Sequence, residues 1–144
     1  MSFLIDTDVI SEISKPNPDE NVRLWFEKNR GQYYLCTVTV AELRRGIERL
    51  PASHRKTHLS EWFVELCKSM DGRILSFNIS VAHVWGQQMA LWQNSGKSVS
   101  TLDSMIAATA IRHRLTLVTR NSVHFENLAI RLIDPFATQN IDGK

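Results

Sequence analysis

Short apolar segments alternate with amphipathic segments along almost the whole chain, and this alternation restricts the folds that the chain can adopt. The apolar segments are predicted strands and lie at residues 3–5, 33–37, 73–77, 115–118 and 129–133. Apolar residues at helical spacing predict helices at about 7–14, 22–26, 39–50, 59–66, 81–92 and 101–113. Apolar strands separated by helices are typical of a parallel sheet with helices on both faces. The sequence therefore predicts an α/β fold with a five-stranded parallel sheet, whose ligands bind at the carboxyl ends of the strands.

Size and composition agree with one globular domain. The 144 residues are 43% hydrophobic and 22% charged, which argues against disorder. A single domain is predicted at 1–136, followed by a flexible C-terminal tail at 137–144. The net charge of +2 is too small to drive unspecific nucleic-acid binding by itself. The first residues do not form a signal peptide and no apolar stretch could span a bilayer, so we predict a cytoplasmic protein without membrane contact.

Three carboxylates occupy positions where the predicted fold places ligands. Asp6 directly follows the first strand, Glu42 lies near the start of the helix after the second strand, and Asp103 heads the apolar stripe of a later helix. Each also has a purely structural interpretation. Asp6 is a suitable N-cap, Glu42 fits a capping box with Thr39, and Asp103 fits one with Ser100. For each residue alone, both interpretations stay open.

Together, these carboxylates indicate a metal site. The predicted sheet can bring Asp6, Glu42 and Asp103 to one side of the molecule. Carboxylates that cluster repel one another unless a cation bridges them, and hard oxygen ligands suit Mg²⁺ or Mn²⁺ rather than zinc. A divalent ion held there could activate a water molecule and stabilise charge on a phosphodiester.

The chain carries four blocks whose order is informative. They lie at Leu4–Glu12 (LIDTDVISE), Thr37–Gly46 (TVTVAELRRG), Asp103–Ala110 (DSMIAATA) and Leu117–Asn121 (LVTRN). Their order and spacing resemble those of PIN-domain proteins, and the first block looks most like the VapC and FitB-type toxins of bacterial toxin–antitoxin pairs. The resemblance covers nearly the whole chain up to Pro135.

This resemblance implies a PIN-like fold and the toxin component of a type II toxin–antitoxin system. The implied activity is a divalent-metal-dependent endoribonuclease that cleaves RNA phosphodiester bonds with a metal-activated water. Asp6, Glu42 and Asp103 match the catalytic acids that hold Mg²⁺ or Mn²⁺, and Thr119 matches a hydroxyl residue that helps arrange them. The implied partners are RNA and a cognate antitoxin, whose C-terminal segment occludes the acidic groove. The implied assembly is a homodimer or a toxin–antitoxin hetero-oligomer.

The chain departs from the family pattern close to the predicted site. Asp8 stands where the family often has Asn, and we expect Asp8 and Thr7 to support the site or to cap the first helix. The family's fourth acidic residue corresponds to Asn121 or His124, and neither is a carboxylate here. Asn121 is predicted to complete the catalytic set through a neutral oxygen or by orienting a metal-bound water. His124 is predicted to form hydrogen bonds near the site or to face the RNA rather than to coordinate metal.

Several basic and aromatic residues have two interpretations each. Arg45 and Arg49 share a helix stripe with the carboxylate of that helix, so they could bind RNA phosphates or form a solvated face. Arg120 could bind phosphate or pair with a carboxylate of the site. Trp25 and Trp62 are candidates for a dimer surface.

Two other functions stay open. A PIN module that lacks the fourth carboxylate could bind RNA or antitoxin without cleavage. Alternatively, the paired acids after the first strand resemble the nucleophile motif of haloacid-dehalogenase-type phosphatases, with Asp6 as the covalent nucleophile and Asp8 as the acid/base. The chain lacks the later acidic pair that such enzymes need, and it contains no Gly-x-Gly-x-x-Gly or Walker loop. We therefore predict a ribonuclease toxin.

Overall fold

A computed structural model describes residues 1–126 and 128–137, so the predicted tail lies outside the described residues from position 138 onward. The helices and strands alternate as predicted. In chain order they are β1 (Phe3–Ile5), α1 (Thr7–Ile13), α2 (Glu20–Lys28), β2 (Tyr33–Cys36), α3 (Thr37–Glu48), α4 (His54–Ser69), β3 (Ile74–Leu75), α5 (Ile79–Asn94), α6 (Thr101–His113), β4 (Thr116–Val118), α7 (Ser122–Phe125) and β5 (Leu132–Ile133). Within the described ranges, no helix is both long enough and apolar enough to cross a membrane.

The five strands form one parallel sheet in the order β3-β2-β1-β4-β5, which confirms the predicted sheet. The chain builds outward from β1 to β3, and it then returns to add β4 on the other side of β1. The strand order therefore reverses between β1 and β4, where open α/β sheets form a ligand crevice. Ile5 pairs with Val118, so the next residues along these two strands, Asp6 and Thr119, lie side by side at the crevice.

Helices cover both faces of the sheet, as the apolar strands require. Successive strand side chains point to opposite faces, so Phe3 and Ile5 pack in the layer of α1 to α4, and Leu4 packs in the layer of α5 and α6. On that second face, the small side chains of Ala107 and Ala110 are fully buried, which lets α6 approach the sheet closely. This packing places the start of α6 near the carboxyl ends of β1 and β4.

Several predicted boundaries differ from the structure, and one short helix is additional. The third and fifth strands were each expected to span five residues, but β3 and β5 contain two residues each because they lie at the sheet edges and pair on one side only. The four-residue helix α7 was not predicted, since it is too short to show a helical period. α3 begins at Thr37 and its N-cap is Cys36, so Thr39 lies inside the helix rather than at its cap.

Trp25 belongs to the core, so its assignment to a dimer surface is wrong. Its side chain is 4% exposed, and its ring packs edge-on against Phe3 and Phe26 at centroid distances of 5.0 and 5.3 Å. Trp62 is partly exposed and lines a groove between helices. The helical spacing of these aromatics identified an apolar face, but only the packing of α2 on the sheet decided what covers that face.

Replacing Trp25 by Leu is expected to lower the free energy of unfolding by about 1–3 kcal/mol, because a smaller side chain of another shape must fill the aromatic cluster. Urea unfolding measures this loss, and light scattering should show an unchanged oligomeric state. Leu24→Ala is the control, since Leu24 lies on the same helix but is exposed, and about 0.5 kcal/mol or less is expected there. A changed oligomeric state with unchanged stability would restore the dimer-surface interpretation.

Candidate active site

Asp6 lies at the switch point of the sheet, where the strand order reverses between β1 and β4. Its side chain both caps α1 and binds Thr119 across the crevice. It is the N-cap of α1, because its Oδ1 accepts a hydrogen bond from the Thr7 backbone N–H at 2.8 Å. Its Oδ2 accepts a hydrogen bond from the Thr119 hydroxyl across the crevice at 2.7 Å. The Asp6 residue is only 5% exposed. The capping interpretation is therefore confirmed, and the same contacts orient a buried carboxylate at the place where the fold binds ligands.

The surroundings of Asp6 oppose its negative charge. Burial, and after it the nearby charge of Asp8, are the main causes that raise the pKa of Asp6 from its ordinary value of 3.8 to about 7. The hydrogen bonds from Thr119 and Thr7 partly lower the pKa, whereas the charge of Asp103 raises it. Near neutral pH, Asp6 is therefore stabilised either by a proton or by a cation.

Asp8 lies in the first turn of α1 and belongs to the same cluster. Its Oδ2 accepts a hydrogen bond from the Asn121 side-chain amide at 3.1 Å, and its Oδ1 is buried without a hydrogen-bond partner in the described part of the chain. Burial raises the Asp8 pKa, an effect that backbone N–H groups at Arg120 and Val9 partly offset. The Asn121 backbone N–H donates to the Thr119 hydroxyl at 3.1 Å. Asn121 therefore links Asp8 to Thr119, whose hydroxyl donates a hydrogen bond to Asp6.

Glu42 reaches the cluster through Thr7. The Thr7 hydroxyl donates to Glu42 Oε1 at 2.7 Å and lies 3.0 Å from the Thr39 hydroxyl. Because α3 begins at Thr37, Glu42 stands in its second turn and the predicted capping box with Thr39 is wrong. The buried hydroxyl of Thr39 instead contacts Thr7, a role that sequence reasoning missed although a polar residue on an apolar stripe was visible.

Asp103 stands in the first turn of α6, at the rim of the cluster. The Ser100 side chain is the N-cap and accepts a hydrogen bond from the Asp103 backbone N–H at 3.3 Å, which agrees with the predicted cap. The Asp103 side chain is 27% exposed, and its Oδ2 lies 3.5 Å from His124 Nδ1 on α7. The charge of Asp103 raises the pKa of Asp6, so the carboxylates of α1 and α6 interact.

The chemistry of these donors fits a divalent cation, although a three-ligand centre is not preformed. Among residues 1–126 and 128–137, no three His, Cys, Asp or Glu side chains are grouped so that they could hold a metal ion. The carboxylates of Asp6 and Asp8 nevertheless supply hard oxygens, and Oδ1 of Asp8 is buried without a hydrogen-bond donor among the described residues. Mg²⁺ and Mn²⁺ prefer such ligands and keep several water molecules, so they need few protein oxygens. The assignment of Asp6, Glu42 and Asp103 as metal ligands stays a prediction.

The predicted RNA-binding arginines lie on two different segments, the C-terminal part of α3 and the residues that follow β4. Arg45 and Arg49 are exposed near the end of α3. The Arg120 guanidinium stacks on the Phe136 ring at 4.4 Å from the centroid, and its charge lowers the pKa of Asp8. The charge of Arg120 therefore acts on a site carboxylate, while an ion pair of Arg120 with that carboxylate and phosphate binding by all three arginines stay predictions.

An apolar groove opens beside the acidic cluster. It has a volume of about 590 Å³ and lies between α1, α3 and α4. Thr7 and Glu42 line one part of it, so the groove is continuous with the site. Its apolar lining includes Ile47, Leu50, Leu59 and Trp62. The groove offers an apolar surface to an amphipathic segment at the edge of the acidic cluster.

The chain is similar to known proteins over nearly its whole length. The family model of the PIN domain matches residues 3–130. The toxin FitB from Neisseria gonorrhoeae is 36% identical over 136 residues, covering 93% of this chain and 98% of FitB. The VapC ribonuclease Y4jK from Sinorhizobium fredii is 35% identical over 136 residues, covering 93% and 97%. The crystal structure of FitAcB from Neisseria gonorrhoeae superimposes with a TM-score of 0.88 at 35% identity and covers 94% of this chain and 99% of the matched chain. The chain therefore belongs to the PIN-domain family, in the group that includes VapC ribonucleases and the toxin FitB.

Proposed function

We propose that this chain is the toxin of a toxin–antitoxin pair and an endoribonuclease that depends on Mg²⁺ or Mn²⁺. The observation that carries the proposal is the buried Asp6 carboxylate at the switch point, beside Asp8 and Asp103, whose charges disfavour its ionisation. A cation would relieve this repulsion. The relatives named as a ribonuclease and as a toxin support the same function. Membership of the PIN-domain family leaves the phosphatase alternative without support.

The side chains of the cluster have distinct roles in this proposal. Asp6, Glu42 and Asp103 would hold the ion, which when bound supplies an activated water and charge stabilisation at the scissile phosphodiester. Thr119 fixes the orientation of Asp6 through Oδ2, and Thr7 fixes Glu42 through Oε1. These hydroxyl contacts keep the carboxylates in place before RNA binds, which lowers the cost of organising the site.

The remaining residues of the site either position its acids or bind RNA. Asn121 positions Asp8 through its amide, and His124 lies beside Asp103 with 59% of its side chain exposed, where an incoming RNA strand would meet it. Arg45, Arg49 and Arg120 would bind phosphates on either side of the scissile bond. Because the net charge is only +2, we expect modest RNA affinity that depends on these few arginines.

The apolar groove supports an antitoxin partner. A segment that packs on Leu50, Leu59 and Trp62 would lie next to Thr7 and Glu42, and it would block access to the acidic cluster. Such an antitoxin forms a hetero-oligomer with the toxin, and a homodimer of the toxin stays a prediction. A toxin that cleaves cellular RNA acts in the cytoplasm, which is the compartment that we propose.

Cleavage of RNA by the purified chain tests this function. We expect cleavage in Mn²⁺ or Mg²⁺, none in excess EDTA, and none by Asp6→Ala or Asp103→Ala variants that still fold. Asp71→Asn is the matched control, because Asp71 is exposed in the turn after α4, away from the cluster. Cleavage that survives both substitutions would contradict the proposal. Wild-type RNA binding without any cleavage would favour the binding module instead.

Thr7→Val is expected to reduce RNA cleavage by about 10- to 100-fold while the fold is retained, because removal of a residue that orients a metal ligand typically has this effect. Valine keeps the shape of threonine but cannot donate to Glu42. Single-turnover cleavage measures the loss. Thr57→Val serves for comparison, since Thr57 is exposed on α4 and its hydroxyl donates to the Ser53 carbonyl. Equal rates for Thr7→Val and Thr57→Val would show that Glu42 does not need Thr7.

A further inference from the structure

Asp8 has a buried carboxylate oxygen that the formation of α1 does not require. It is not the cap of α1, because Asp6 accepts the hydrogen bond from the first helical N–H. An acidic residue in the first turn of a helix gains a favourable dipole interaction while it is fully solvated. Asp8 is instead partly buried, and its Oδ1 has no hydrogen-bond partner among the described residues. Its burial against a second carboxylate therefore needs another explanation.

The two carboxyl groups of Asp6 and Asp8 are close neighbours. Asp8 lies two residues after Asp6 in the chain, and the negative charge of Asp8 raises the pKa of Asp6. Ionised carboxylates that interact in this way repel each other unless a cation lies between them. The buried Oδ1 of Asp8 is an oxygen that such a cation could use, since Asn121 already occupies Oδ2.

The side of the cluster formed after β4 supplies no negative charge of its own. Thr119, Asn121 and His124 offer a hydroxyl, an amide and an imidazole there, and Arg120 adds a positive charge that lowers the pKa of Asp8. The Asn121 side-chain amide donates a hydrogen bond to the Asp8 carboxylate and so fixes its orientation. Asp8 thus brings a negative charge to the part of the cluster where residues 119–124 after β4 carry no carboxylate.

We infer that Asp8 is a carboxylate of the divalent-metal site, paired with Asp6 and positioned by Asn121. This inference rests on the proposed function, because it concerns the same site. It goes beyond that function in adding Asp8 to the predicted ligands and in giving Asn121 the role of a positioning residue rather than of an oxygen donor to the metal. Removal of the Asp8 charge therefore weakens metal binding even when the hydrogen bond to Asn121 is preserved.

Direct measurement of Mn²⁺ binding tests this inference without reference to activity. Isothermal titration calorimetry compares the wild type, Asp8→Asn and the control Asp71→Asn, all stripped of metal beforehand. The Asn replacement keeps the shape of Asp8 and can still accept a hydrogen bond from the Asn121 amide, so it removes only the charge. We expect Asp8→Asn to bind Mn²⁺ at least about tenfold more weakly, the lower end of losses seen when a metal site loses a supporting residue. Asp71→Asn should bind as the wild type does.

A thermal shift series provides a second readout and guards against misfolding. Mn²⁺ should raise the Tm of the wild type and of Asp71→Asn, and it should raise that of Asp8→Asn less at the same concentration. Circular dichroism of the metal-free variants checks that each is folded, and Asp8→Ser replaces Asp8→Asn if that variant is not. Equal Mn²⁺ affinity of the wild type and the Asp8 variant would overturn the inference and leave the proposed function intact. A wild type that binds no Mn²⁺ at millimolar concentration would overturn both.

Discussion

Asp6→Asn is expected to abolish most metal-dependent RNA cleavage while it stabilises the metal-free protein. Loss of a ligand that supports about 4 kcal/mol of transition-state stabilisation corresponds to a rate reduction of about 10³-fold. Asparagine keeps the size of Asp6 and can still accept hydrogen bonds from Thr119 or the Thr7 N–H. It removes a buried charge that Asp8 repels, so the free energy of unfolding at pH 8 should rise by about 1–3 kcal/mol.

The opposite signs of these two effects distinguish a functional carboxylate from a structural one. A carboxylate kept only as a helix cap would lose about 1 kcal/mol of stability or less when replaced by Asn, which is itself a good cap, and activity would persist. Cleavage rates and urea unfolding in EDTA measure the two effects on the same preparation. Asp19→Asn is the control, because Asp19 is the exposed N-cap of α2, where it accepts hydrogen bonds from the Asn21 and Val22 backbone N–H groups. Lower stability of Asp6→Asn together with full activity would contradict the assignment.

The metal-free protein is expected to lose stability as pH rises from about 4 to about 7. Asp6 has a pKa near 7 in the folded state and an ordinary value of 3.8 in the unfolded chain. Between these values the folded protein holds a proton that the unfolded chain has released, so raising the pH favours unfolding. At 1.36 kcal/mol for each pKa unit, the contribution of Asp6 reaches about 4 kcal/mol, and it is complete above pH 7.

Urea unfolding in EDTA at a series of pH values measures this dependence. Other groups titrate in the same range, so the quantity of interest is the difference between the wild type and Asp6→Asn, which lacks the titrating carboxyl. That difference should be small near pH 4 and should grow in favour of the variant up to pH 7. Mn²⁺ competes with the proton at the cluster, so its stabilisation of the wild type should be larger at pH 8 than at pH 5. A difference that is constant with pH would show that the Asp6 pKa is ordinary.

Local sequence patterns predicted the elements whose signals are local. The bounds of β1 and α6 agree with the predicted ones, because each is set by neighbours in the chain: an apolar triplet ended by Asp6, and a helix capped by Ser100. Boundaries were less accurate where pairing decided them. β3 and β5 are edge strands, and the length of an edge strand depends on how far its single neighbour extends.

Glu42 and Trp25 show where local patterns were misleading. A Thr followed three residues later by Glu is typical of a capping box, but α3 begins earlier because it follows β2 without a loop. That start moves Glu42 into the second turn, where Thr7 of another helix is its partner. Similarly, the aromatic spacing around Trp25 indicated an apolar face without saying whether the sheet or a second subunit covers it.

The sequence alone determined the fold class, the family resemblance and the acidic residues of the candidate site, because apolar spacing and motif order are properties of neighbouring residues. Only the tertiary structure decided how those acids interact. The hydrogen bond from the Thr119 hydroxyl to Asp6 joins residues 113 positions apart. It forms because β4 pairs with β1 in one particular register. The burial that raises the pKa of Asp6, and the pairing of Asp8 with Asn121, arise from the same juxtaposition. The charge and chemical type of each side chain follow from the sequence, whereas the burial of these side chains and the distances between them depend on which strands become neighbours.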